Sequence, residues 1–391
     1  MIYAETRTDV EKESNNLLTT IKEPNETHSS NYGSGFFTTL QSNIANLSSG
    51  YFALVMATGI VSIAAYLFNF IQIAQSLFYF NIGAYILLCI LYIARLLFYT
   101  KYIFSDFNDH GKNPGFLTFV AGSCVLGNQF ILLADNYQFA SYLFYAGLVS
   151  WLFLIYSFFT VITVKNQKPS LREGISGVWL LVIVSTQSVS ILGTQLSETL
   201  PVPQDQMLFF TFTLFLCGCM FYVIIITLVV YRLSFFELQA EEFGPPYWIN
   251  MGAVAITTLA GSTLMLHQHK SEFLVSLFPF LKGFTFFFWS IGTWWIPLIV
   301  ILGIWRHLIK QLPFRYHPQY WGMVFPLGMY TTCTAKLSQA SGLPFINAIS
   351  FYFVYIALAA WSITFIAMVY TVCNETCSAI KKSSKTTPPA C

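Results

Sequence analysis

The sequence predicts an all-α polytopic membrane protein of ten transmembrane helices. Three observations predict it: sparse charge, ten apolar stretches of spanning length, and a one-sided distribution of lysine and arginine. Of 391 residues only 9% are charged, against about a quarter in soluble domains, while 55% are apolar and 18% aromatic. The 19 basic and 17 acidic side chains cannot clothe a water-soluble chain of this length, so lipid must be its solvent. A net charge of +2 leaves no basic stripe for nucleic acid. Cys89, Cys124, Cys217, Cys219 and Cys333 lie in apolar runs and read as small buried hydrophobes. Cys373, Cys377 and Cys391 fall near the end, no CxxC occurs, and neither disulfide, metal site nor cofactor is expected.

Residues 1–47, rich in Glu, Asn, Ser and Thr, read as a disordered cytoplasmic segment without a cleavable leader. The membrane domain spans 48–372, and 373–391 form a cytoplasmic tail. Within the domain the apolar stretches run over 48–68, 77–99, 115–134, 139–163, 174–196, 205–230, 246–266, 281–305, 319–340 and 348–372. Each is long enough to cross a hydrocarbon core of about 30 Å as a helix. Sixteen of the 19 Lys and Arg residues fall in the N-terminal segment, the loops after even-numbered spans and the tail; the opposite side holds Lys270, Lys282 and Lys336. Basic residues stay inside, so both termini are expected in the cytoplasm and the protein in the plasma membrane.

Aromatic residues divide the spans into two kinds. The even-numbered ones hold 37 Phe, Tyr and Trp in 124 positions, the odd-numbered ones 14 in 107. The odd spans are instead rich in small and hydroxyl residues, as in ATGIVS at 57–62, AGSCVLGNQ at 121–129, STQSVSILGTQ at 185–195 and NMGAVAITTLAGST at 250–263. Two readings fit: a tightly packed bundle interior, or five hairpins, repeating every 60 to 73 residues, that ring a hydroxyl-lined passage. Thr186, Gln187, Ser188 and Ser190 occupy successive helix faces, which favours the passage.

The membrane interior carries no Asp, Glu or His. Proton relays and acidic selectivity rings therefore lose weight, leaving a neutral solute or an anion held by hydroxyls, freed amides and helix dipoles. Lys336, near the outer end of the ninth span, is either an outer anion attractor or a snorkelling lysine. Intramembrane catalysis lacks its nucleophile and base, so no enzyme is expected. His267 and His269 beyond the seventh span, and His307 and His317 around a basic loop, read as solvated or interfacial. Phe325 precedes Pro326, a kinking proline near the middle of an odd span, where a bulky ring would plug a passage or simply pack in a core.

Five runs carry a resemblance: GYFALVMATGIVSIA at 50–64, GFLTFVAGSCVLGNQF at 115–130, PPYWINMGAVAITTLAG at 245–261, LKGFTFFFWSIGTWWIP at 281–297 and YWGMVFPLGMYTTCT at 320–334. Together they resemble the tellurite-resistance/dicarboxylate transporter family, which includes plant guard-cell slow anion channels, fungal malate permeases and sulfite efflux pumps. The resemblance implies five hairpins around a pore lined by the odd helices, commonly in a homotrimer with one pore per subunit. It also implies anion conduction and a pore-occluding phenylalanine on the ninth helix, which Phe325 matches. Channel members are expected to kink several inner helices at proline; here Gly59, Gly122, Gly193 and Gly261 would supply that flexibility.

The resulting expectation is transmembrane transport of small inorganic anions or C4-dicarboxylates such as malate. Phe325 with Pro326 forms the gate, Thr58, Gly59, Ser123, Thr186, Ser188, Thr257, Thr258, Thr331 and Thr332 line the pore, and Lys336 attracts anions. The alternative is a proton-coupled carrier for a C4-dicarboxylate or sulfite. A third reading, a sensor binding a cytoplasmic partner through its N-terminal segment, predicts loss of output when that segment is removed.

Overall fold

The computed structural model describes residues 41–385 except 315, and all long elements among them are α-helices. The segment up to residue 40 and the end of the tail, 386–391, lie outside the described residues. Ten long helices follow in order: α1 Ala53–Leu67, α2 Ile71–Phe98, α3 Leu117–Ala134, α4 Tyr137–Val164 and α5 Leu181–Gln195 form the first half. The second half is α6 Gln204–Phe235, α7 Ile249–Leu266, α8 Glu272–Ile304, α9 Trp321–Ser341 and α10 Asn347–Lys385. Helix α10 runs well past 372, so the first part of the expected tail is helix.

Eight of these spans are long and apolar enough to cross a membrane. The other two are α1 and α9. Helix α1 has 15 residues, about 22 Å at 1.5 Å per residue, and α9 carries Thr331, Thr332, Thr334, Lys336, Ser338 and Gln339. Neither needs to face lipid, because both are interior helices.

Packing follows the composition. Each odd helix touches its two odd neighbours, α1 to α3 to α5 to α7 to α9 and back to α1, closing a ring. The even helices pack outside it, each against the odd helix before it and the one after. In an 18-residue apolar stretch of the Pro245–Leu266 span 94% of the residues are buried, and in one of the Pro344–Thr376 span 11%. Large apolar side chains such as Phe98, Phe153, Trp294 and Ile363 stand exposed on the outer ring, where lipid solvates them. Small residues bring the inner helices together: a Cβ on Gly328 of α9 would fall 2.9 Å from Ile60 of α1.

The hairpin tips on one face are short, and three use left-handed backbone at Asn69, Asp135 and Gly342. The opposite face, here the basic side, has longer connections. Each of four ends in a 3₁₀ turn leading into an odd helix: Asn113–Phe116, Gly177–Leu180, Pro245–Trp248 and Pro318–Tyr320. Adjacent turns touch and form a collar. Ion pairs brace it. Arg95, 2% exposed, binds Asp106 at 2.7 Å and donates from Nε to the Ala45 carbonyl at 3.1 Å. Lys112 reaches the same carboxylate at 3.1 Å, and Arg232 bonds Glu242 at 3.1 Å and the Tyr247 hydroxyl.

Candidate functional site

Two cavities lie on the axis of the ring, each lined by all five odd helices or the turns leading into them. The one on the basic side, about 100 Å³, is bounded by Met56, Thr118, Leu181, Ile249 and Phe325, with Ser49, Lys112 and Gln319 of the collar at its mouth. The one toward the opposite face, about 40 Å³, is bounded by Ile60, Asn128, Ser188, Ile256, Thr332 and Lys336. Between Met56 and Ile60, or Ile249 and Ile256, each helix advances four to seven residues, about 6–10 Å of closed packing. The axis is shut there.

Phe325 is 1% exposed and forms part of the floor of the basic-side cavity. Its placement comes from its neighbour. The Pro326 ring lies on Gly252 of α7, where a Cβ would fall 2.7 Å from the Pro326 Cγ. Glycine at 252 therefore lets α9 approach α7, while Pro326 itself turns away from the cavity lining.

The hydroxyls sort into two groups. Those of Thr58, Ser123 and Thr186 face the outer ring: Trp361 Nε1 donates to Thr58 at 3.0 Å, Trp151 Nε1 to Thr186 at 2.9 Å, and the Tyr85 and Ser123 hydroxyls meet at 2.9 Å. Trp289 Nε1 bonds Thr334 at 2.9 Å in the same way. One aromatic of an even helix thus pins a hydroxyl of the following odd helix at four of the five joints. Gly59 lies against Val125, Asn81 and Gln129, at the contact of α1 with α2 and α3. Thr257, Thr258 and Thr331 donate to the carbonyls of Ala253, Val254 and Leu327 and border neither cavity.

Ser188, Thr332 and Lys336 border the smaller cavity. Ser188 donates to the Val184 carbonyl at 2.8 Å, whereas the buried Thr332 hydroxyl has no partner. Among the described residues neither its O–H nor the half-buried Lys336 ammonium has an acceptor, and both stand on one wall. Lys336 has no salt-bridge partner among the described residues. An acceptor with negative charge satisfies both. Among the described residues no three His, Cys, Asp or Glu side chains gather as a metal site.

Sequence reasoning missed the aromatic pins and the collar. A signal for the collar exists in a glycine or proline followed within two residues by an aromatic at the start of each odd helix: GYFA, PGFL, GVWL, PYWI and PQYW. For the pins, replacing Thr186 with Val should cost more than replacing Trp151 with Phe. The first strands a buried indole N–H, about 1–3 kcal/mol, and the second leaves Thr186 still bonded to the Val182 carbonyl, about 1 kcal/mol. Melting temperatures of the two variants in detergent check the order.

At the far mouth His267 closes α7, its Nδ1 2.8 Å from the Thr263 carbonyl. Burial holds its imidazole below the usual histidine range, against the opposing pull of the Thr263 carbonyl. A depressed histidine contributes stability that is complete above its unfolded value near 6.5 and is lost as pH falls through the folded one. Lowering pH from about 7.5 to 5.5 should therefore reduce the melting temperature of the wild type more than that of His267→Gln. Equal shifts would mean the ring is not held neutral.

Residues 46–369 match the family described as voltage-dependent anion channel (SLAC1). The chain belongs to this family. An uncharacterized transporter of Methanocaldococcus jannaschii is 25% identical over 345 residues, 85% of this chain and 97% of that protein. A second from the same organism is 24% identical over 331 residues, 83% of this chain and 92% of that protein. An uncharacterized membrane protein of Mycobacterium tuberculosis is 38% identical over 149 residues, 38% of this chain and 75% of its own length. The voltage-dependent anion channel family is one of membrane channels and transporters, so anion transport is the general activity that membership supports.

Proposed function

We propose that the chain is a gated anion channel, not an enzyme, passing small inorganic anions or C4-dicarboxylates such as malate along the ring axis. The observation that carries this reading is the pair of cavities on one axis, built by the same five helices and separated beside Phe325. Phe325 acts as the plug, Pro326 and Gly252 hold it in place, and Thr332 and Lys336 offer donors to an anion on the far side. In this reading the protein sits in the plasma membrane with the basic loops, the collar and both termini on the cytoplasmic side, as the positive-inside pattern favours, and the family resemblance suggests a homotrimer with one pore per subunit.

The alternative, a proton-coupled carrier, would need a carboxylate or histidine on the axis, and among the described residues none lines either cavity. Flux into proteoliposomes separates the two. Chloride, nitrate and malate gradients should each drive a counter-ion-dependent flux that follows membrane potential and persists when the pH gradient is collapsed. Flux that stops on collapsing the pH gradient would replace the channel with the carrier.

A further inference from the structure

We propose that the cleft between α8 and α10 on the basic side binds one anionic phospholipid, with its phosphate at Arg306 and His307. The cleft has a volume of about 750 Å³ and opens sideways on the outer ring, away from the axis. Its walls are acyl-like: Val300, Gly303 and Ile304 of α8, Met323 of α9, Ile356 and Ile363 of α10. Among the described residues Arg306 and His307 are the basic side chains that line it, and no Asp or Glu does.

Both basic groups have bonding capacity left over. Arg306 gives Nη1 to the Phe243 carbonyl, but its Nε is buried without a partner. His307 engages Nδ1 with the Leu312 carbonyl at 2.9 Å and stacks on Phe314 at 3.7 Å, which leaves Nε2 as its free edge. A turn of π-helix at Trp305–Ile309 carries both residues at the end of α8, and Lys310 follows directly, exposed. Such π turns recur where a helix is locally adapted to a ligand. Phosphate supplies the acceptor oxygens that guanidinium and imidazole lack here, and the membrane surface on a basic side is where anionic headgroups gather.

The fold contains its own comparison. A cleft of about 490 Å³ occupies the equivalent place between α2 and α4, outside α3, lined by Phe107, Phe116 and Phe153 among others and by no charged side chain. It offers the same apolar shelter without the cations. Headgroup selectivity should therefore belong to the α8–α10 cleft alone.

The test is native mass spectrometry of the purified full chain in detergent, titrated with phosphatidylglycerol and, separately, phosphatidylcholine. Phosphatidylglycerol should bind at least about tenfold more tightly, as expected for an anionic headgroup meeting Arg306 with Lys310 beside it. Arg306→Gln should remove that preference. Because Arg306 also holds the Phe243 carbonyl, Gly303→Trp serves as a second variant. A Cβ at Gly303 meets no atom within 4 Å, and Gly303 lines the cleft, so a side chain added there starts in open space and is directed at the cleft's volume. It should lower phosphatidylglycerol binding severalfold, whereas Ser150→Trp in the neutral cleft should leave the preference intact. Equal binding of the two lipids by the wild type would overturn the proposal, as would a preference that survives both variants. Loss of oligomer mass rather than of lipid adducts in Gly303→Trp would assign the cleft to a second copy of the chain instead.

Discussion

Phe325→Ala is expected to raise anion current through a planar bilayer by at least about tenfold over the wild type, with reversal potentials that follow the anion gradient. The side chain closes the floor of the basic-side cavity, and the packing beyond it is short, about 6–10 Å. Removing the ring leaves its lining helices in place, because Pro326 still seats on Gly252 and Gly328 still meets Ile60. The void therefore extends the basic-side cavity toward the far one and shortens the closed stretch between them. Ranking chloride, nitrate, sulfite and malate through the opened protein would give the selectivity of the remaining path. A silent alanine variant that still folds, with labelled dicarboxylate still entering liposomes, would remove the plugged-channel reading.

A second substitution on the same axis separates attraction from gating. If Lys336 draws anions to the far cavity, Lys336→Gln in the Phe325→Ala background should lower conductance severalfold at low salt and much less at high salt, since screening shortens the reach of a single charge. Thr332→Val should act alongside it without the salt dependence, because the lost donor is a neutral hydroxyl.

The two-ring architecture was legible because lipid and protein interiors demand different side chains. Aromatic even spans became the outer ring and hydroxyl-rich odd spans the inner one, a distinction carried by composition over whole helices. The role of a single hydroxyl was not legible. Thr186 and Ser188 are two residues apart, yet one accepts from Trp151 of α4 and the other borders an axial cavity. A helix turns by about 100° per residue, so a small error in phase moves a side chain from axis to joint. The position of Phe325 beside an axial cavity was legible for a different reason: Pro326 is the proline within an inner helix, and it marks its neighbour. The Arg95–Asp106 pair escaped notice because Asp106 lies on a separate short helix, Thr100–Phe107, which the apolar pattern of the spans does not mark.

Glycine at 177 is expected to be among the least replaceable positions in the chain, although it lies outside every long helix. A Cβ there would fall 2.2 Å from the Pro246 carbonyl oxygen and 2.7 Å from its carbon. Both are backbone atoms of the next collar turn, so no rotamer change relieves the clash. The two turns must move apart, and Val178 and Pro246 both border the basic-side cavity. Gly177→Ala should lose about 1–3 kcal/mol or more of stability by overpacking and should alter anion flux in the same step. Gly283→Ala is the matching control: its Cβ meets nothing within 4 Å, and it lies within α8. There alanine should be neutral or stabilising by up to about 1 kcal/mol, since glycine is the poorer helix former. Thermal unfolding followed by intrinsic fluorescence, with proteoliposome flux on the same preparations, reads both effects. If Gly177→Ala matched Gly283→Ala in both, the turns would not be holding the mouth of the axis, and the collar would be a passive connection between helices.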